Sequence, residues 1–341
     1  NNLYAITFGG WPLDGGNGDE CTGILGTTYV TPTSSTFKYW PYTKIRAINV
    51  LLQNIDQGTL SDKIKNPIKG QALFMRAFLY FNAVKYHGGV PIIKVPQNVT
   101  DDLNVKRNST AECFDFIISD LDEAAKYLPN TYTGSDYGRI SKSAVLAFKG
   151  RVLLYKASPQ FNPNNPYGNQ YWSDAYKATK EAYDFLTANG FGLVDNYTDV
   201  FETDNHKEAV LPVVYVNPSK TNGRQEDGVR PLSETRNSTG LDMPIWQFVE
   251  AFPMKDGKKI GESKKYSYDV QSYWLNRDPR FEQVIVWNGA IYELSGKKGR
   301  RQYTAGGIAT VEDAGALTLA EASYTRPGVY CRKGIQEELL S

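Results

Sequence analysis

The chain has 341 residues, enough for a substantial core in one large or two ordinary domains. Its 38 basic and 37 acidic residues nearly cancel to a net charge of +1, so the whole chain carries no field that would draw it to nucleic acid or to an anionic membrane surface. No stretch approaches the ~20 apolar residues of a membrane-spanning helix, and Asn1-Asn2-Leu3-Tyr4 does not open a signal peptide. Cys21, Cys113 and Cys331 lie far apart and indicate neither a disulfide framework nor a zinc motif, and His87 and His206 are too few for a histidine-rich metal site.

Residues 1–41 are rich in Gly, Thr and Pro and read as irregular. Helical periodicity begins near Tyr42, with Ile45, Ile48, Leu51, Leu52 and Ile55 on one side. The next helix is expected to start at Asn66 as N-cap with Pro67 in its first position. Its apolar residues, from Ala72 and Leu73 to Phe81 and Val84, occupy more than one stripe, so it should be surrounded by protein. Gly88-Gly89 supplies the stop and Pro91 forbids continuation. These two helices, joined by a short polar loop, are expected to pair.

Ser109-Thr110-Ala111-Glu112 is a capping box, and Phe114, Ile117, Ile118, Leu121, Ala125 and Leu128 make the stripe of the helix behind it. The segment Arg139 to Pro159 follows, with Ala144, Ala147 and Gly150 three residues apart, a spacing of small side chains that lets another helix approach closely. These form a second expected pair. A fifth helix is read from Ser173 to Ala188, with Gly190 as its stop.

Beyond Phe191 the pattern changes. Leu211 to Val216 reads as a short strand, and a polar loop from Asn217 to about Asp242 reads either as a binding element or as disorder. In Gln283 to Leu294 the central Asn288-Gly289 suits a type I′ turn, which predicts a β-hairpin with Ile285 facing Tyr292 and Trp287 facing Ala290. Its Ile285, Trp287, Tyr292 face is either core or a stacking platform.

Several of these segments together resemble the SusD/RagB family. Gly70-Gln71-Ala72-Leu73-Phe74-Met75-Arg76-Ala77-Phe78 with Tyr86-His87-Gly88-Gly89-Val90-Pro91 is similar to that family's central helix and its exit, and Arg139 to Pro159 to the small-residue helix that follows. Tyr39-Trp40-Pro41-Tyr42-Thr43-Lys44-Ile45-Arg46-Ala47-Ile48-Asn49 resembles the helix opening before them, and Asn276-Arg277-Asp278-Pro279-Arg280-Phe281 a later landmark. The match runs from about Asp19 to Val286, with the motifs in family order. The lipidated cysteine that opens such proteins and their closing helix are not seen, and Cys21 sits in no lipoprotein cleavage motif.

The resemblance implies a mainly α fold: a tetratricopeptide-like scaffold of helical hairpins with an elaborated loop and short β-hairpin region. The chain is read as one domain over 1–341, with the scaffold over about 42–190 and a loop- and strand-rich ligand-binding region in 1–41 and 191–341. It further implies a lipid-anchored protein on the extracellular face of a Bacteroidetes outer membrane, partnered by a SusC-like TonB-dependent transporter and holding oligosaccharides, or in some members peptides, for import. No catalytic residue, metal or cofactor is expected.

The 23 Tyr and 6 Trp suit a sugar ligand, whose C–H faces stack on rings while planar polar groups pair with its hydroxyls. The candidate ligand residues are Trp11 in a Gly-rich loop, Asn222 and Arg224 in the long polar loop, and Tyr273, Trp274, Trp287 and Tyr292 downstream. Trp40 is assigned to the core beside Tyr42 and Ile45. Asp14, Asn17, Asp19 and Glu20 offer oxygen ligands, but at spacings unlike a calcium loop. The alternatives are a peptide-binding RagB-like uptake subunit and a helical glycoside hydrolase, which needs two carboxyl groups roughly 5–10 Å apart.

Overall fold

The computed structural model describes residues 21–22, 39–216, 218–220, 230–231, 234, 243–304, 312–313, 316–317, 328–335 and 337–338. These fall into two compact units, one containing 39–193 and 207–214, the other 194–206 and the described residues from 215 onward, together with 21–22.

The first unit is helical. Helix α1 spans Tyr42–Asn54 and buries Ile45, Ile48 and Asn49. Helix α2 spans Asp62–His87, so it begins before the expected Asn66: Ser61 is the N-cap and Pro67 lies inside the helix. Pro67 is the sixth residue of the helix, past the first turn whose N–H groups lack an intrahelical partner, so it forgoes the bond to the Lys63 carbonyl while the helix continues through it; Asp62 in the first turn suits the positive end of the helix dipole. Helix α3 spans Thr110–Tyr127, with the capping box of Ser109 and Glu112 complete. Helix α4 spans Lys142–Ala157 and helix α5 spans Tyr171–Ala188, opening slightly earlier than its apolar pattern suggested.

α1 lies against α2 and α3 against α4, but the most extensive packing is of α2 on α3 and of α4 on α5. Small residues mark both of the latter contacts. A Cβ at Gly70 of α2 would come within 2.7 Å of the Leu128 side chain, and one at Gly150 of α4 within 3.2 Å of Thr179 Oγ1 on α5. Close approach, more than loop length, therefore selects the main partners. Between them Phe148 is ringed by Phe74, Phe78 and Phe81, each with its centroid 5.3 Å away.

The α2 exit is equally tight. Gly88 has φ +69°, and a Cβ at Gly89 would fall 2.0 Å from the Asn108 carbonyl oxygen. Arg107 donates from Nε to the Gly89 carbonyl at 2.7 Å and from Nη2 to that of His87, closing the turn.

Residues 211–216 form no strand; Val216 makes only an isolated bridge with Lys220. Pro212 removes a donor, and Val214, Tyr215 and Val216 are all exposed, so no sheet covers them.

The second unit is built of short pieces. Its helices are α6 (Asp199–Glu202), α7 (Trp246–Ala251) and α8 (Arg280–Val284). Its strands pair two by two, all antiparallel: β1 (Cys21–Thr22) with β2 (Met243–Pro244), β3 (Ile285–Val286) with β8 (Tyr330–Cys331), β4 (Ala290–Ile291) with β5 (Arg301–Gln302), and β6 (Glu312–Asp313) with β7 (Ala316–Leu317).

The expected hairpin of β3 on β4 is therefore not formed. Ile285 faces Cys331 and Ala290 faces Gln302. The chain does reverse at 287–290, where the Ala290 N–H donates to the Trp287 carbonyl at 3.0 Å. Gly289 has φ +88° while Asn288 keeps a negative φ, the pattern of a type II turn. That turn splays its flanking strands where a type I′ turn would align them, leaving each free to pair elsewhere. Among the described residues no helix is long and apolar enough to cross a membrane.

Candidate functional site

The second unit gathers three of the sequence-predicted residues. A single 3-10 turn, Val270–Ser272, is started by Asp269, whose Oδ1 accepts from the Gln271 N–H at 2.9 Å. It delivers Tyr273 and Trp274, and Trp287 follows directly on β3. The Trp274 and Trp287 rings are stacked, with centroids 6.1 Å apart and planes within 4° of parallel. Tyr273 stands edge-on to Trp274 at 5.2 Å and edge-on to Trp246 of α7 at 4.8 Å. Phe281 of α8 lies beneath, 6.2 Å from Trp287 and 6.4 Å from Tyr273.

Trp246, Tyr273, Trp274 and Trp287 are all half-buried against a core of Val249, Phe281, Val284, Ile285 and Val329. Each ring is thus held by packing while retaining surface in water. Like any phenol, that of Tyr273 is neutral at physiological pH and has a hydrogen to donate, and burial pushes it further from ionisation, up to about 12. Aromatic faces with a neutral hydroxyl beside them suit a ligand with flat C–H surfaces and hydroxyl groups.

Tyr292 does not join them. Its ring is completely buried with Val286, Ala290, Leu294, Tyr330 and Ile335, so no face is free for a ligand. Burial drives its phenol well above the ordinary 10, and the hydroxyl has no hydrogen-bond partner among the described residues. It is a core residue because the type II turn puts Ala290 and Tyr292 against β5 and not across from β3. Trp11, Asn222 and Arg224 lie outside the described residues, as do Asp14, Asn17, Asp19 and Glu20.

Two aromatic residues were missed. Trp246 carried no sequence signal beyond its type. Trp40, assigned to the core, is 55% exposed, with its ring tilted on Tyr42 at 4.9 Å and edge-on to His87 at 5.6 Å. The signal was present: Pro41 is the N-cap of α1, so Trp40 precedes the helix and escapes its inward-facing periodicity.

The first unit also has an open groove of about 870 Å³ where the start of α2 passes the end of α3. Ile64, Ile68 and Leu128 line it together with Tyr127 and Tyr132, and both acidic groups (Asp62, Asp136) and basic groups (Lys63, Lys126, Arg139) border it.

The helical pairs and the aromatic surface define a mainly α, tetratricopeptide-like protein. Two models of one family match the chain in sequence: residues 26–154 match a SusD-like model described as starch-binding and associating with the outer membrane, and residues 207–339 match the SusD family model. A SusD-like protein of Formosa agariphila is 37% identical over 130 residues, 37% of this chain and 25% of that protein. Among solved structures, a SusD-like protein of Bacteroides fragilis superposes with a TM-score of 0.74 at 23% identity, covering 99% of this chain and 67% of that one. A SusD-like carbohydrate-binding protein of the same organism does so with a TM-score of 0.71 at 22% identity, covering 97% and 65%. The chain belongs to the SusD family. It spans between a quarter and about two fifths of the length of the curated relatives it matches.

Proposed function

We propose that this protein binds oligosaccharides at the cell surface without transforming them and passes them to a SusC-like TonB-dependent transporter. In this reading it is held by a lipid anchor on the outer face of the outer membrane. The observation that carries the ligand class is the parallel Trp274 and Trp287 pair with Tyr273 beside it, half-exposed rings fixed by a packed base. Stacking supplies contact area with little loss of side-chain freedom, because the rings are already held. Trp40 offers a further exposed ring on the first unit. Support for the biological setting comes from the family, one of whose models is described as starch-binding and associating with the outer membrane.

Calorimetric titration against plant, host and microbial oligosaccharides, with product analysis of each mixture, tests this reading. Saturable heat with intact sugar is expected, and its loss in Trp274→Ala. Cleaved sugar would make the protein a hydrolase.

A further inference from the structure

The landmark Asn276 to Phe281 lies directly beneath the aromatic surface, and Arg277 is its inward residue. The Arg277 side chain is only 5% exposed, and among the described residues no carboxylate forms an ion pair with it. Its two Nη groups donate to backbone oxygens instead, while the buried Nε–H has no partner among the described residues. Nη2 donates to the Val249 carbonyl at 2.8 Å and to the Phe252 carbonyl at 2.7 Å, and Nη1 donates to the Tyr273 carbonyl at 2.8 Å. The first two are at the end of α7, where carbonyls lack partners within the helix and a cation is favoured. The third belongs to the turn that delivers Tyr273 and Trp274. One planar group therefore ties the helix carrying Trp246 to the loop carrying Trp274.

The neighbours of Arg277 hold it in place. Asn276 has φ +59°, a left-handed conformation that Asn tolerates better than most residues. Its carbonyl accepts from the Lys255 N–H at 2.8 Å, and the Asp278 N–H donates to the Pro253 carbonyl at 3.0 Å. Flanked by these two anchors, the guanidinium lies over the Phe281 ring at 4.8 Å and near the Tyr268 ring at 5.8 Å. A lysine would place a single point of charge where three carbonyls require a fork.

We propose that Arg277 is a positioning residue for ligand binding, fixing the Trp246, Tyr273 and Trp274 rings relative to one another by joining the α7 end to the Tyr273 carbonyl. Its effect on affinity rests on the glycan reading above; its effect on the rings does not.

The test uses the full chain labelled with 5-fluorotryptophan, with fluorine resonances assigned by Trp→Phe variants. In Arg277→Lys the Trp246 and Trp274 resonances are expected to move or broaden while those of Trp40 and Trp172, in the other unit, stay in place, and affinity for the best oligosaccharide found by calorimetry is expected to fall about tenfold. Unmoved Trp246 and Trp274 resonances in the folded variant would overturn the proposal. If Arg277→Lys does not fold, Arg277→Gln is measured in the same way; failure of both to fold would also overturn it, making Arg277 a requirement of the core. Moved resonances in a protein whose wild type binds no sugar of the panel would sustain the positioning role and remove the glycan reading.

Discussion

Arg76 and Asp120 form a two-pronged ion pair between α2 and α3, with Nε to Oδ2 at 2.7 Å and Nη2 to Oδ1 at 2.8 Å, both side chains nearly out of water. Nη1 of Arg76 reaches Asn49 Oδ1 of α1 at 2.8 Å, so one guanidinium joins three helices. Burial pushes the Asp120 carboxyl up and the guanidinium opposes that shift. Removing one partner strands the other charge: Asp120→Ala is expected to cost the first unit about 3–5 kcal/mol, whereas replacing both by apolar residues costs much less. Chemical denaturation of the two single variants and the double variant measures the difference.

Gly89 is fixed by space and Gly88 by conformation. An added methyl at 89 meets a backbone oxygen that no side-chain rotation can move, so Gly89→Ala is expected to cost about 3 kcal/mol or more by displacing the 107–109 segment. Gly88→Ala meets nothing closer than 3.5 Å, but φ +69° with ψ −137° lies outside the left-handed helical region in backbone space adopted almost only by Gly, so it is expected to cost about 1–3 kcal/mol. Thermal melts of both variants should rank them in that order.

The capping box of α3 makes stability depend on acid. Glu112 Oε2 accepts from the Ser109 hydroxyl and N–H, each at 2.7 Å, and these bonds, the hydroxyl first, hold its carboxyl below the ordinary 4.5. A depressed carboxylate contributes stability that is present above the unfolded value and lost as pH falls through the folded one. The stability gap between wild type and Glu112→Ala should therefore be constant near neutrality and close below about pH 4.5. Melting curves at stepped pH, compared between the two proteins, would show it.

Tyr292 and Trp287 should separate cleanly. Tyr292→Phe removes a buried hydroxyl that has no described partner, so the variant is expected to be as stable as wild type or up to about 2 kcal/mol more stable, with unchanged ligand affinity. Trp287→Ala removes one of the parallel rings and is expected to weaken oligosaccharide binding about tenfold or more. Paired calorimetry and denaturation curves test both halves.

The helices of the first unit were legible because each carries its own signals: the Ser109 to Glu112 box, the stripe of α3, the Gly88-Gly89 exit and the small residues of α4 all lie within a few residues of what they control. The early start of α2 was missed because Pro67 reads as a beginning when only its neighbours are considered. In the second unit Asn288-Gly289 predicted the reversal correctly and the pairing wrongly, since a turn determines only that the chain turns. Tyr273, Trp274 and Trp287 were picked as ring types and came together; Tyr292, picked on the same ground, is core, and Trp40, placed in the core, is exposed.

The sequence alone determined the helical scaffold, its family and the aromatic character of the candidate surface, because apolar periodicity, caps and ring-bearing side chains are properties of contiguous residues. Only the tertiary structure decided which helices pack most closely, which strands pair with β3 and β4, and which rings keep a face in water. Those depend on residues far apart in the chain, such as Arg277 with Val249 or Ile285 with Cys331, whose proximity is a consequence of packing and not of spacing.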